Sequence, residues 1–372
     1  MSELIGVGII GCGNISTAYL RLASLFAGYE VRAVADLNIE AAKAQAEAFD
    51  VRAETVDDLL GAADIDLIVN LTIPAAHAAV SKAALEAGKH VYSEKPFVLS
   101  VDEGEELAKL AAANGLRVGS APDTFLGASH QLARHLVDSG QMGRITSGTA
   151  MVMSPGMESW HPNPDFFFQP GAGPVLDIGP YYICNLVQLL GPVASVTAFT
   201  GAASDTRTIG NGPRQGETVP VETPTTIHAV LRFHSGAIIT LIGSWDVWSN
   251  EHNNMELYGT DGTMYVPDPN FFGGDLRITA KADAVATPAW SHPFGVANDG
   301  DHANYRGAGL ADMVQAIAQG RPHRCSLEFS LHVVDVMTSI LRAGETGQVE
   351  QISTSCDRPD ALTPDAAQAL MA

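Results

Sequence analysis

The chain predicts an α/β protein: a doubly wound parallel sheet at the N-terminus, then an α+β domain with a large, mainly antiparallel sheet. Three observations carry that expectation. Early in the chain, short apolar runs alternate with segments whose apolar residues recur at helical spacing, which is the pattern of strand–helix–strand units. Chemically competent residues collect just after those apolar runs, at the strand ends where open parallel sheets bind ligands. Later, strict apolar/polar alternation with tight turns marks antiparallel hairpins. The expected division is 1–122 and 123–372.

The first unit opens with an apolar run from Leu4 to Ile10 that ends in Gly11-Cys12-Gly13-Asn14-Ile15-Ser16. Ala18, Tyr19, Leu22, Leu25 and Phe26 then recur at helical spacing. Strand, glycine turn and helix in that order form a phosphate cradle of the Rossmann type. Gly11 and Gly13 allow the tight turn and close approach of backbone to a pyrophosphate, and Asn14 and Ile15 open the helix whose amides face it. Gly6-Val7-Gly8-Ile9-Ile10-Gly11 also fits G-x-G-x-x-G, but that register would consume the strand itself. Ser16 stands where the third glycine is usual, and a small residue still permits close packing there. The next strand, Val31 to Ala35, ends in Asp36, about twenty residues further on, where an acid binds the ribose of a dinucleotide. A carboxylate there accepts from the 2′-hydroxyl and repels a 2′-phosphate, so NAD is favoured. A cation such as Arg32 would keep NADP possible, and a helix cap is the alternative use of Asp36.

Helices are expected over 40–49 and 57–60, then a strand from Ile65 to Leu71 closing in Thr72-Ile73-Pro74, then a helix to Gly88. His90-Val91-Tyr92 ends a strand that leads into Ser93-Glu94-Lys95-Pro96. Ser100-Val101-Asp102-Glu103 is a capping box that starts a helix stopped by Gly115. A strand follows over 116–119. Gly11, Gly13, Asp36, Thr72, Pro74, Glu94, Lys95 and Asp123 therefore fall along one edge, as cofactor-site residues would. Lys95 is a fixed cation beside a reacting hydroxyl, or else a loop lysine. His77, in a helix's first turn, approaches the cofactor or decorates the surface, and the surface is the favoured reading.

In the second domain a helix runs from Thr124 to Ser139, and Gly201 to Pro224 reads as a long loop. Thr226 to His234 pairs with Ala237 to Ile242, and Met255 to Tyr258 with Thr263 to Val266, as hairpins. Helices are expected over 304–318 and 327–343. Such a sheet, helical on one face, leaves its other face needing cover, so a homodimer or homotetramer is expected. In Gly171-Ala172-Gly173-Pro174-Val175-Leu176-Asp177-Ile178-Gly179-Pro180-Tyr181-Tyr182, a helix starting near Val175 puts Asp177 and Tyr181 on one face. They are an acid and a phenol suited to proton transfer, although an Asp at a helix start is also an ordinary cap. Trp160, Trp245, Trp248 and His252 either line a sugar site or pack in the core.

The formal charge of −21, from 21 basic and 42 acidic residues, disfavours nucleic acid or an anionic membrane as partner. Met1-Ser2-Glu3 lacks the basic start of a signal peptide, and no apolar run reaches membrane-spanning length, so a cytoplasmic protein is expected. Cys12, Cys184, Cys325 and Cys356 have no metal-ligand spacing and are expected as free thiols; no metal is expected.

The glycine loop, Glu94-Lys95-Pro96 and the Gly-x-Gly-x-x-x-Asp-x-Gly segment, in this order over essentially the whole chain, resemble the glucose-fructose oxidoreductase and inositol dehydrogenase family of two-domain NAD(P)-dependent oxidoreductases. The resemblance implies that Lys95, often joined to Pro96 by a cis peptide, contacts the substrate hydroxyl and the nicotinamide ribose, and that Asp177 orients the substrate. The family position held here by Tyr181 is often a histidine base. This chain matches the branch with tyrosine there, which includes glucose-fructose oxidoreductase itself and the dimeric dihydrodiol dehydrogenases. His161, in Trp160-His161-Pro162, is the rival base, and Trp160 and His161 are expected substrate contacts. The function implied is hydride transfer between NAD(P) and a secondary hydroxyl of a sugar, polyol or related cyclic alcohol. An NAD-dependent glycoside hydrolase and a non-catalytic dinucleotide sensor are the alternatives.

Overall fold

The computed structural model describes residues 4–280 and 290–372. The chain makes two compact units, one of Met1–Ala128, Ser291–Val334 and Pro359–Ala372, the other of Ser129–Trp290 and Asp335–Arg358.

In the first unit six parallel strands, β1 (Ile5–Ile10), β2 (Tyr29–Ala35), β3 (Arg52–Glu54), β4 (Leu67–Asn70), β5 (His90–Ser93) and β6 (Val118–Ser120), lie in the order β3-β2-β1-β4-β5-β6. The helices α1 (Asn14–Leu22), α2 (Ile39–Phe49), α3 (Val56–Gly61), α4 (His77–Glu86) and α5 (Val101–Asn114) connect them. The expected doubly wound sheet is therefore present. Parallel strands buried on both faces read as continuous apolar runs, and Val7, Ala33, Val34, Ile68, Val69 and Val91 are fully buried. Gly6 and Gly8 lie inside β1, so the turn glycines are Gly11 and Gly13. A Cβ at Gly6 would lie within 1.9 Å of the Asp64 carbonyl oxygen, so that glycine serves strand packing. Ser100 accepts from the Glu103 amide, while Glu103 reaches back to the Leu99 amide at 3.0 Å, one residue beyond the usual box.

In the second unit an eight-stranded mixed sheet runs in the order β15-β14-β13-β7-β12-β11-β8-β16. Its strands are β7 (Ile145–Met153), β8 (Val193–Gly201), β11 (Thr226–Phe233), β12 (Ile238–Ser244), β13 (Met255–Gly259), β14 (Gly262–Val266), β15 (Arg277–Ala280) and β16 (Glu350–Gln351). Pairing is antiparallel except between β7 and β12. Both expected hairpins form, β11–β12 and β13–β14. In β11 the alternation puts Ile227, Ala229, Leu231 and Phe233 on the buried face and His228, Val230 and Arg232 on the other. The helices α6 (Ala128–Asp138), α7 (Pro174–Asp177) and α8 (Gly179–Leu190) follow in this part of the chain, and every residue of α8 is buried.

The stretch from Gly201 to Pro224 is more ordered than a loop. It contains a small hairpin, β9 (Thr206–Thr208) with β10 (Thr218–Pro220). Ile209 and Val219 bury themselves with Phe167, Phe168 and Trp245 in a separate small core. Glycine and proline density marked the turns, but the core is made with residues distant in sequence and left no local signal.

Candidate active site

In the first unit, Gly11 has φ +103, and a Cβ there would sit 2.6 Å from the Leu71 carbonyl. Only glycine fits, because the turn passes directly over the end of β4. Gly13 differs: nothing lies within 4 Å of the position a Cβ would take. Ser16 is fully buried and its hydroxyl donates to the Gly13 carbonyl at 2.6 Å, which explains why a small residue stands there. The first turn of α1 carries neither an acid nor a side-chain cap, so its amide dipoles face an open approach. These features fit a dinucleotide pyrophosphate.

Asp36 accepts from the amides of Cys12 and Asn38, each at 2.8 Å, and so ties the end of β2 to the glycine turn. The cap of α2 is Asn38, which accepts from the Glu40 amide. Arg32 is committed to Glu30 and to the carbonyls of Asp64 and Leu4, at the amino ends of the strands and away from the cofactor edge.

Asn70, fully buried at the end of β4, accepts from the Thr72 amide and hydroxyl at 3.2 and 2.7 Å and donates to the His77 carbonyl and the Ser81 hydroxyl. Pro74 opens the turn leading into α4. His77 is not on the surface. It has no solvent exposure, its Nδ1 lies 2.7 Å from the Pro96 carbonyl and its Nε2 3.0 Å from the Thr72 carbonyl. The ring staples the Thr72 turn to the Lys95-Pro96 turn; periodicity alone could not show that its helix begins beneath both. Burial pushes the His77 pKa down, the two carbonyls and Glu94 oppose that, and Lys95 adds to it, with the net value below the ordinary one.

Lys95 stands two residues beyond the end of β5, after Glu94, and is joined to Pro96 by a cis peptide. The Glu94 side chain is turned inward. Its Oε1 accepts from Tyr19 of α1 and from Arg306, each at 3.0 Å, and its Oε2 from the Lys95 amide at 3.0 Å. Burial raises its pKa, but Arg306, Lys95 and these donors outweigh burial and hold it below the usual carboxylate value. Asp123, also buried, accepts from the amides of Gly307 and Gly309 at 2.9 and 3.0 Å.

In the second unit, the helix expected to carry both Asp177 and Tyr181 is two helices, broken at Ile178. Pro180 cannot donate to the carbonyl four residues back and its ring crowds it, so the chain restarts at Gly179. Asp177 ends α7, half-buried, and Tyr181 lies in the first turn of α8, 5% exposed.

The loops after the parallel neighbours β7 and β12 leave the sheet side by side, joined by the Ser154 amide on the Ser244 carbonyl and the Val247 amide on Ser154. Trp160 is 57% exposed on the first loop, and Trp248 and His252 are exposed on the second, whereas Trp245 is core. His161 Nδ1 accepts from the Asn163 amide at 3.1 Å, and its ring meets Trp160, Phe166 and Phe167 edge-on. Arg207 of β9 pairs with Glu158 and Asp246 and lies over the Phe168 ring, clamping one loop to the other.

Tyr19, Asn70, Arg207 and Arg306 were not singled out from sequence. Asn70 closes an apolar run and had a weak positional signal; the others act across distances in sequence that no local pattern reports.

Among the described residues no helix is long and apolar enough to cross a membrane. Sequence models of known families match residues 5–121 as an oxidoreductase family NAD-binding Rossmann fold and residues 130–265 as a GFO/IDH/MocA C-terminal domain. The chain is 33% identical over 362 residues to inositol 2-dehydrogenase 3 of Saccharopolyspora erythraea, covering 95% of this chain and 96% of that protein. It is 32% identical over 147 residues to an uncharacterized oxidoreductase of Schizosaccharomyces pombe, a match spanning 38% of this chain and 39% of that one. Levoglucosan dehydrogenase, solved with NADH and L-sorbose, shares the fold with a TM-score of 0.79 at 21% identity, over 95% of this chain and all of that one. With the Rossmann sheet, the glycine turn and the mixed second sheet in place, this chain belongs to the GFO/IDH/MocA oxidoreductase family.

Proposed function

We propose that the protein is an NAD-dependent dehydrogenase acting on a secondary hydroxyl of a sugar, polyol or related cyclic alcohol, in the family branch that carries tyrosine at the position of Tyr181. The observation that carries this reading is the convergence of Gly11, Gly13, Asp36, Thr72 and Lys95 on the carboxyl edge of one parallel sheet beside an uncapped helix start. Gly11, Gly13, Asn14 and Ile15 would hold the pyrophosphate, Asp36 the adenosine ribose, and Thr72, Pro74 and the Glu94-Lys95 backbone the nicotinamide half. His77 serves by holding the turns, and any Glu94 contact runs through its backbone.

NAD supplies the hydride acceptor. Tyr181 takes the proton from the reacting hydroxyl, and Asp177 orients that hydroxyl. Lys95 is the proposed cation of the site, acting on the reacting hydroxyl. Trp160 and His161 contact the substrate. His161 is disfavoured as base because its Nδ1 lone pair is taken by the Asn163 amide, leaving the neutral ring with a proton on Nε2.

The test is nicotinamide absorbance with NAD and, separately, NADP against a panel of sugars, inositols and sugar acids. NADH formation is expected; release of reducing sugar without it would replace the reading with a hydrolase, and cofactor binding with neither would replace it with a sensor. NAD is expected to be preferred, since Arg32 is engaged elsewhere. Asp36→Ser should lower kcat/KM for NAD by about 10–100-fold, the worth of a charge-assisted hydrogen bond, without lowering that for NADP. Equal use of both cofactors by the parent would overturn the assignment of Asp36.

The second sheet's open face carries exposed Phe199, Val230 and Ile238 on the neighbouring strands β8, β11 and β12. A second copy is the proposed cover, so light scattering should return at least twice the 39.1 kDa of one chain at micromolar concentration. A monomeric mass would count against it.

A further inference from the structure

Three facts about the first unit bear on Lys95 from behind. Its backbone amide is held by Glu94 Oε2, and the other Glu94 oxygen is shared by Tyr19 of α1 and Arg306. Arg306 lies 212 residues downstream of Glu94 yet forms a largely buried ion pair with it at 3.0 Å. The segment carrying Arg306 is itself fixed: Asp123 accepts from the amides of Gly307 and Gly309, Asp299 pairs with Arg21 of α1, and Asn304 donates to Asp299. Glu94 is thus the joint between the helix that starts at the glycine turn, the strand end bearing Lys95 and a returning segment of the chain.

We propose that Arg306 is a positioning residue of the active site: by anchoring the Glu94 carboxylate it holds the Lys95 backbone, and with it the amine, where hydride transfer requires. The proposal rests on the reading of Lys95 as catalytic. A buried carboxylate left without its main cation would protonate or turn away, and a protonated Glu94 accepts less strongly from the Lys95 amide. The charged and titratable groups facing Glu94 are Arg306 and Lys95, Tyr19 from α1, His77 from α4, Tyr92 from β5, and Asp123 after β6. Arg306 and Lys95 are the cations among them. Without Arg306, burial dominates and the Glu94 pKa rises, so the carboxylate that serves Lys95 is lost as pH falls through a window where the parent keeps it.

The experiment compares the parent with Arg306→Gln, Arg306→Lys, Tyr19→Phe and Lys95→Met. Amide exchange over residues 93–98 is read by mass spectrometry without cofactor, NAD Kd by calorimetry, and kcat against pH with myo-inositol or, if that is silent, the fastest member of the panel. For Arg306→Gln, exchange at the Lys95 segment should be about tenfold faster. Its kcat should fall about 10–100-fold, more than NAD Kd rises, and the loss should deepen toward acid pH. Arg306→Lys, which keeps the charge, should restore most of kcat. A uniform rise in exchange across the unit with an unaltered pH profile would show a merely structural role and overturn the proposal. If Arg306→Gln does not fold, Tyr19→Phe decides, and unchanged exchange and kcat there would overturn it. Retained turnover in Lys95→Met would instead overturn the catalytic reading of Lys95, independently of the exchange result.

Discussion

Tyr181→Phe is expected to lower turnover by about 10²–10⁴-fold, the range lost with a general acid or base. The melting temperature and NAD Kd should stay near those of the parent. The substitution removes one oxygen and no carbon, and Tyr181 lies in the first turn of α8 with its ring packed at 5% exposure, so the fold keeps its apolar contacts. NAD binding is assigned to residues of the other unit, so a loss confined to kcat identifies the phenol as the proton-transfer group. His161→Ala provides the contrast. Its Nδ1 is already an acceptor for Asn163, so it should raise KM, through a loosened aromatic loop, more than it lowers kcat. Parent-like turnover in Tyr181→Phe with collapse in His161→Ala would reverse the assignment.

The second large effect separates two glycines two residues apart. Gly11→Ala should unfold the first unit or destabilise it by about 4 kcal/mol or more. A side chain at φ +103 is strained, and its Cβ would meet the Leu71 backbone at 2.6 Å. Gly13→Ala should cost about 1 kcal/mol or less, the difference between glycine and alanine at a helix N-cap, because the new methyl enters open space. If that space is where the pyrophosphate passes, Gly13→Ala will fold normally and yet lose at least about tenfold in NAD affinity, equivalent to 1.4 kcal/mol. Thermal melts and calorimetric NAD titration of both variants check this. Normal NAD affinity in Gly13→Ala would remove the pyrophosphate from its assigned place. A purely structural glycine turn predicts that affinity falls only where stability falls, so a loss of NAD affinity without a loss of stability in Gly13→Ala marks a ligand in the cradle.

Both sheets were legible in the sequence because their periodicities are local. The helix 101–114 and its stop at Gly115 follow from a cap and a left-handed glycine, and both appear as expected. The hairpin after Thr226 follows from two-residue alternation. Local patterns failed where a backbone constraint or a distant partner intervened. Proline at 180 split the helix that would have carried Asp177 and Tyr181 together, and His77 is buried by carbonyls on either side of it in sequence, at Thr72 and Pro96. The Gly201 to Pro224 stretch acquired a core from Phe167, Phe168 and Trp245.

By itself, then, the sequence determined the order of elements and the residues that stand at the strand ends. The strand period and the glycine turn are encoded within a few residues, and a parallel sheet delivers whatever follows its strands to one edge. Only the tertiary structure decided how those residues are held. Glu94 takes its partners from positions 19 and 306, Asp123 from 307 and 309, and Arg207 from 158 and 246. A buried charge must find an opposite charge or donors somewhere in the fold, and chain proximity does not govern where.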